Sequence, residues 1–265
     1  MTFAKSVEKF SETAASKRDH LSRDPLGFFV LTLMAGAYVG LGILLILSVG
    51  QGVSPSIRPI VMGASFGIAL LLVIFAGSEL FTGHTMYMTM GWLTKRTKLA
   101  DLLRCWATSW VGNSIGAMCL ALLFVYGGGG IVLGGDDSLL LKLAAKKMHA
   151  SGVHLILNGI LCNWLVCLAI WTSSRLENEM ARMFITWFCL YAFIAAGFEH
   201  SVANMTVFSV ALITDHPDTI SFVGALRNLA YVSLGNAIAG AGIMGFGYWL
   251  AAGRPRVMPI LKTQS

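Results

Sequence analysis

Gly77-Ser78-Glu79-Leu80-Phe81-Thr82-Gly83-His84 interrupts a long apolar stretch in the first half of the chain. Gly197-Phe198-Glu199-His200-Ser201-Val202-Ala203-Asn204 interrupts another in the second half. Each is a Gly-x-Glu followed by small, apolar or polar positions, and each ends on a side chain that forms hydrogen bonds. Carboxylates and imidazoles are costly to bury in a membrane segment, and where they occur they line a pathway or a site. Two such interruptions in matching places of two halves point to a central transport site.

Working outward, the chain has 265 residues, 56% hydrophobic and 12% charged, with a mean hydropathy of +0.72. A soluble domain carries about 25% charged residues, so this composition is that of an integral membrane protein. The first 25 residues are polar and charged, and the first apolar run is too long for a signal-peptide core, so no cleaved leader is expected. Cys105, Cys119, Cys162, Cys167 and Cys189 lie in apolar stretches without metal-site spacing. They read as small apolar fillers rather than disulfide or metal residues, and no metal or other cofactor is expected.

A helix needs roughly 20 apolar residues to cross the hydrocarbon. Six segments qualify: 26–49, 58–93, 102–126, 149–172, 181–213 and 224–251. The second and fifth are too long for one crossing, and each carries one of the two motifs near its middle. They read as broken helices, two half-spans around a loop at membrane depth. With the N-terminus inside, 14 of the 19 basic residues fall on the cytoplasmic side and 5 outside, which places both termini in the cytoplasm. The sequence pI near 9.2 is thereby a topology signal, and no nucleic-acid partner is expected. The chain divides into a cytoplasmic N-terminal segment (1–25), a six-span domain (26–251) and a cytoplasmic tail (252–265). The outer loop at 127–148 begins with four glycines, turns at Gly134-Gly135-Asp136-Asp137 and ends near Lys146 and Lys147. His149 and His154 read as interfacial. Trp92, Trp106, Trp110, Trp171, Trp187, Tyr248 and Trp249 sit near span ends, as interfacial aromatic belts do.

Three landmarks recur in order. Gly36 and Gly40 match Gly159 and Asn163, 123 residues on; Gly77 and Glu79 match Gly197 and Glu199, 120 on; Gly112-Asn113 matches Gly235-Asn236, 123 on. Two halves of three spans each follow, and an odd span number makes the repeat inverted. Small residues such as Gly112, Gly116, Gly235 and Gly240 allow close helix approach.

Unpaired backbone at membrane depth survives only when buried in protein or facing a water-filled cavity. Glu79 and Glu199 therefore read as acceptors for loop backbone that hold the breaks open, with Asn204 and His84 in similar local roles. His200 aligns with Leu80, so symmetry does not require a histidine there, and it reads as facing the pathway. Thr82 adds a hydroxyl from the other half, and Asn163 lies mid-helix. The surrounding residues Phe66, Leu70, Leu80, Phe81, Val166 and Phe193 are apolar and bulky. Moving an ion into low dielectric costs of order 20 kcal/mol in the idealised limit, whereas a neutral weak acid crosses far more cheaply. A histidine titrates near neutrality and could pass a proton to an anion or simply offer a hydrogen bond. Lysine at the mouth would concentrate anions.

The runs Ala76-Gly77-Ser78-Glu79-Leu80-Phe81-Thr82-Gly83, Leu161-Cys162-Asn163-Trp164-Leu165-Val166 and Glu199-His200-Ser201-Val202-Ala203-Asn204-Met205 resemble the formate/nitrite transporter family, most of all its nitrite branch, over all six spans. The resemblance implies an all-α, aquaporin-like fold without aquaporin motifs and a homopentamer with a pore in each protomer. It further implies small monovalent anions as substrates, a bacterial inner-membrane location and transport rather than enzymatic activity. By motif match, His200 would be the central pore histidine, Thr82 the threonine of a mobile loop, Asn163 the pore asparagine and Lys147 the outer-vestibule lysine. Phe66, Leu70 and Phe193 would form one constriction, and Leu80, Phe81 and Val166 the other. Ala196 is smaller than the bulky residue of the formate branch, which would loosen the constriction there. Formate or hydrosulfide is the alternative substrate within the family. A water or glycerol channel would carry paired Asn-Pro-Ala motifs, which this chain lacks. A membrane haem enzyme using His84, His154 or His200 would need a histidine pair at helical spacing, which is also missing.

Overall fold

The computed structural model describes residues 2–134 and 138–256, all helix and connecting segments, with no strand among them. The expected turn at Gly135-Asp136-Asp137 and the tail beyond Arg256, including Lys262, lie outside the described residues. The elements are α1 (Phe3–Arg23), α2 (Pro25–Gln51), α3 (Arg58–Gly77), α4 (Phe81–Leu93), α5 (Leu99–Tyr126), α6 (Gly130–Leu133), α7 (Leu139–His149), α8 (Gly152–Ser173), α9 (Glu179–Ala195), α10 (Ser201–Ile213) and α11 (Phe222–Ala251). Five of them, α2, α3, α5, α8 and α11, are long and apolar enough to cross a membrane. The two over-long segments of the sequence are each two helices: α3 with α4, and α9 with α10.

The N-terminal segment and the 127–148 loop both carry helix. Residues 3–23 form α1, whose buried face holds Val7, Phe10, Ala14 and Leu21. Phe10 stacks on Tyr87 and Trp171, and Trp171 on Tyr248 at 4.0 Å between ring centroids. Trp171 is therefore buried inside the protein instead of joining an interfacial belt. The 127–148 loop carries α6 and α7, and Ser138 caps α7 by accepting from Leu141 N–H.

Helices α2 and α5 approach backbone to backbone at Gly36 and Gly116. A Cβ on Gly36 would lie 2.1 Å from the Asn113 carbonyl oxygen. In the other half, a Cβ on Gly235 would lie 2.3 Å from the Ile156 carbonyl oxygen of α8. Close backbone approach of this kind is the role of small residues where helices associate in lipid.

That closeness lets one asparagine in each half brace the chain where helix gives way to extended backbone. The chain leaves α3 at Gly77 with φ +80° and leaves the turn after α9 at Gly197 with φ +74°. This is the left-handed region that glycine enters without steric cost. In the first half, Asn113 Oδ1 accepts Phe81 N–H at 2.9 Å, while its Nδ2 donates to the Glu79 carbonyl at 3.0 Å and the Thr32 carbonyl at 2.8 Å. In the second, Asn236 Oδ1 accepts Ser201 N–H at 3.0 Å, while its Nδ2 donates to the Glu199 carbonyl at 3.1 Å and the Gly159 carbonyl at 2.8 Å. Glu79 N–H donates to the Leu31 carbonyl, and Glu199 N–H to the Asn158 carbonyl.

These equivalences correct the register of one landmark. Leu31 and Thr32 correspond to Asn158 and Gly159, 127 residues on, so Gly36 aligns with Asn163 and not with Gly159. The error is one helical turn, because glycines four residues apart lie on one helix face and serve equally well as landmarks in a sequence.

Truncating either asparagine orphans buried backbone groups. Asn113→Ala or Asn236→Ala is expected to lower stability by about 1–3 kcal/mol for each group left unpaired. The reading is thermal unfolding in detergent, and an unchanged midpoint would contradict the brace.

Candidate functional site

The bracing fixes the first turns of α4 and α10, and these turns meet. His200 precedes α10 and caps it, its Nδ1 accepting Ala203 N–H at 3.1 Å. A neutral imidazole with Nδ1 accepting carries its proton on Nε2. That nitrogen lies 3.2 Å from Thr82 Oγ1, so the hydroxyl accepts the Nε2–H. Thr82 is the second residue of α4, not a loop residue, and is fully buried. Its carbonyl accepts from Thr85 Oγ1 at 2.6 Å. Asn163 Nδ2 donates to Thr85 Oγ1 at 3.0 Å and to the Asn236 carbonyl at 2.6 Å. Asn163 thus ties α4, α8 and α11 together behind Thr82. The segment Ile238–Phe246 of α11 is wound as a π-helix beside it, and a Cβ on Gly240 would lie 1.8 Å from Thr85 Oγ1.

Three cavities follow one another at this junction. A small one of about 10 Å³ is lined by Val39, Phe66, Ala69, Leu70, Leu80, Val166, Leu190, Phe193 and His200. That is room for about one water molecule. Five of the six expected constriction residues line this single space. The sixth, Phe81, does not: its ring meets Trp106 edge-on at 6.3 Å. Phe193 stacks on the His200 ring at 5.9 Å and meets Phe66 edge-on at 5.5 Å. His200 and Phe193 also border a cavity of about 320 Å³ that reaches Lys147, His154, Asn158 and Ala196. On the other side Leu80 borders a cavity of about 330 Å³ that reaches Lys17, Ser78, His84 and Tyr87.

Each large cavity holds one carboxylate with two side-chain partners. Glu199 accepts from Lys147 Nζ at 2.9 Å and from Asn204 Nδ2 at 2.6 Å. Glu79 accepts from Lys17 Nζ at 2.5 Å and from His84 Nε2 at 2.6 Å. The carboxylates thus receive side chains, whereas the loop backbone they were expected to hold is held by Asn113 and Asn236. His84 and Asn204 do sit at their glutamates. Lys147 is the lysine at Glu199, while its neighbour Lys146 is exposed. Lys17, Asn113, Asn236 and Thr85 were not among the expected site residues. The Gly-Asn repeat marked the two asparagines, but nothing in the sequence joins Lys17 to a residue 62 positions away. No group of three or more His, Cys, Asp or Glu among the described residues has the geometry to hold a metal ion.

The whole arrangement can be set beside known proteins. The family model for the formate/nitrite transporter matches residues 5–250. The nitrite transporter NirC of Salmonella typhimurium is 47% identical over 94% of this chain and 92% of its own length. A solved FNT family ion channel superposes with a TM-score of 0.91 at 46% identity, covering 93% of this chain and 98% of that one. A pentameric formate channel with formate bound shares the fold, with a TM-score of 0.70 at 23% identity over 85% of this chain and 96% of that one. The chain belongs to the formate/nitrite transporter family, a family of transporters and channels rather than enzymes.

Proposed function

We propose that this protein is a transmembrane channel for nitrite and related small monovalent anions, which cross its centre as the neutral acid. The observation that carries this reading is the order of the three cavities: two roomy spaces each bearing a lysine, and between them an apolar space of about 10 Å³ walled by Leu80 on one side and His200 on the other. A lysine-bearing vestibule favours an anion, and the apolar space excludes its charge. The high identity to a protein named a nitrite transporter favours nitrite over formate.

The same proposal includes the topology. Helices α3 and α4 together make one crossing interrupted at Gly77, and α9 and α10 another interrupted at Gly197. With α2, α5, α8 and α11 these give six crossings in two inverted, aquaporin-like halves. The charge asymmetry of the loops supports cytoplasmic termini, so that residues 1–25 and 252–265 are cytoplasmic and 26–251 form the channel domain, in a bacterial inner membrane. The Lys147 cavity is then the outer vestibule and the Lys17 cavity the inner one. A homopentamer accords with the pentameric formate channel that shares the fold.

His200 acts in this reading as a hydrogen-bond donor rather than as the source of the proton. Its Nδ1 is engaged as the cap of α10, and loss of the Nε2 proton would leave an imidazolate. The permeating anion takes its proton from the solvent in a vestibule, and Nε2–H, shared in the structure with Thr82, turns to it between the apolar walls. A space for about one water does not admit nitrite until Leu80 or Phe193 moves aside.

His200→Asn keeps a residue able to cap α10 but cannot reach across to Thr82. Nitrite flux in liposomes is expected to fall roughly tenfold, the worth of one hydrogen bond of about 1.4 kcal/mol; wild-type flux would contradict the role. Lys147→Ala leaves the Glu199 carboxylate without its counter-charge, held by Asn204 alone. Flux is expected to fall most at low ionic strength and to recover part of the loss at high salt, so a loss independent of salt would count against anion capture there.

A further inference from the structure

The two vestibules are built alike but differ at the positions that can carry a proton. His84 and Asn204 each follow their glutamate by five residues, and each lies in the first turn of its helix. Their second contacts also correspond. His84 Nδ1 lies 3.3 Å from Cys105 Sγ on α5, and Asn204 Nδ2 donates at 2.9 Å to Asn228 Oδ1 on α11. Cys105 and Asn228 are 123 residues apart, the same offset that relates Asn113 to Asn236. In one half the carboxylate is backed by two amides that never titrate. In the other it is backed by an imidazole and a thiol.

The surroundings of His84 are known on every side. Glu79 faces it from the segment before α4, Lys17 is on the same carboxylate from α1, and Cys105 faces it from α5. Tyr87 of its own helix lies 6.3 Å away between ring centroids, and Phe28 of α2 lies 6.0 Å away with His20 of α1 against Phe28. With a neutral imidazole, the Lys17 ammonium and the Glu79 carboxylate cancel. One added proton leaves the group with a net positive charge on the wall of a cavity of about 330 Å³. The opposite group, Lys147 with Glu199 and Asn204, includes neither an imidazole nor a thiol.

We propose that His84 makes the Lys17 vestibule a proton-dependent docking site for small monovalent anions, so that the two mouths capture the anion with different pH dependence. This rests on the transport reading above and extends it to a difference between the faces. Acidity at the Lys17 face charges the site at its carboxylate and draws the anion in, while acidity at the Lys147 face acts on the anion's own protonation and on His154, a cavity-wall imidazole that is not a partner of Glu199.

The test is initial nitrite flux in vesicles of known sidedness, right-side-out and inside-out. The source-side pH is lowered stepwise from about 10 to about 5.5, a window wide enough for a histidine paired with a carboxylate, the opposite side is held constant, and flux in protein-free vesicles is subtracted. The rise for wild-type protein is expected to be about fivefold greater from the Lys17 face than from the Lys147 face, the size of one unit charge acting at about 4 Å in water. His84→Asn, which copies the residue of the other half, should remove the excess response of the Lys17 face. Asn204→His should raise the response of the Lys147 face. If His84→Asn does not assemble, His84→Gln gives the same reading. Equal responses from the two faces of the wild type, or an undiminished difference in the His84 variants, would overturn the inference while leaving nitrite transport standing. Absence of nitrite flux from both faces would instead overturn the transport reading and this inference with it.

Discussion

Backbone that leaves helical geometry away from water must find a partner for every N–H and carbonyl, and the rest of this structure is arranged around that requirement. One asparagine in each half, Asn113 and Asn236, meets it with three hydrogen bonds apiece. Each reaches its targets only because glycines let neighbouring helices touch backbone to backbone. With the extended residues before α4 and α10 pinned, the two helix starts are held against each other. Thr82 and His200 then meet at 3.2 Å although they are 118 residues apart in the chain.

The same pinning explains why a repeated framework yields unequal walls. Leu80 and His200 occupy equivalent places immediately before α4 and α10. The leucine gives an apolar wall toward the Lys17 vestibule. The histidine spends one nitrogen on capping its helix and presents the other to the centre. A desolvated centre strengthens any hydrogen bond made there and penalises bare charge, which is the basis of the proposed passage as a neutral acid. The charged groups stand outside, where the cavities are large and each carboxylate is already balanced by a lysine.

Much of this was readable in the residues. The all-helical apolar chain, the glycines at the two Gly-x-Glu segments and the position of His200 beside a cavity follow from hydropathy, spacing and the mismatch between Leu80 and its counterpart. The partners of the carboxylates were not readable, because hydrogen bonding depends on which helices lie together. Lys17 is an ordinary topology charge in the sequence and becomes a site residue only when α1 folds across the end of α4. Phe81 has the right character for a constriction, yet alternation around the first turn of α4 sends it to Trp106. The one-turn register error at Gly36 arose because hydropathy and small size repeat along a helix face, whereas a hydrogen bond does not.

Nitrite flux and charge movement, recorded together on liposomes holding the purified protein at a controlled membrane potential, test the central claim most directly. Passage as a neutral acid through the apolar centre predicts close to zero net charge per nitrite and a flux indifferent to the potential. A current of one negative charge per nitrite, driven by the potential, would contradict it.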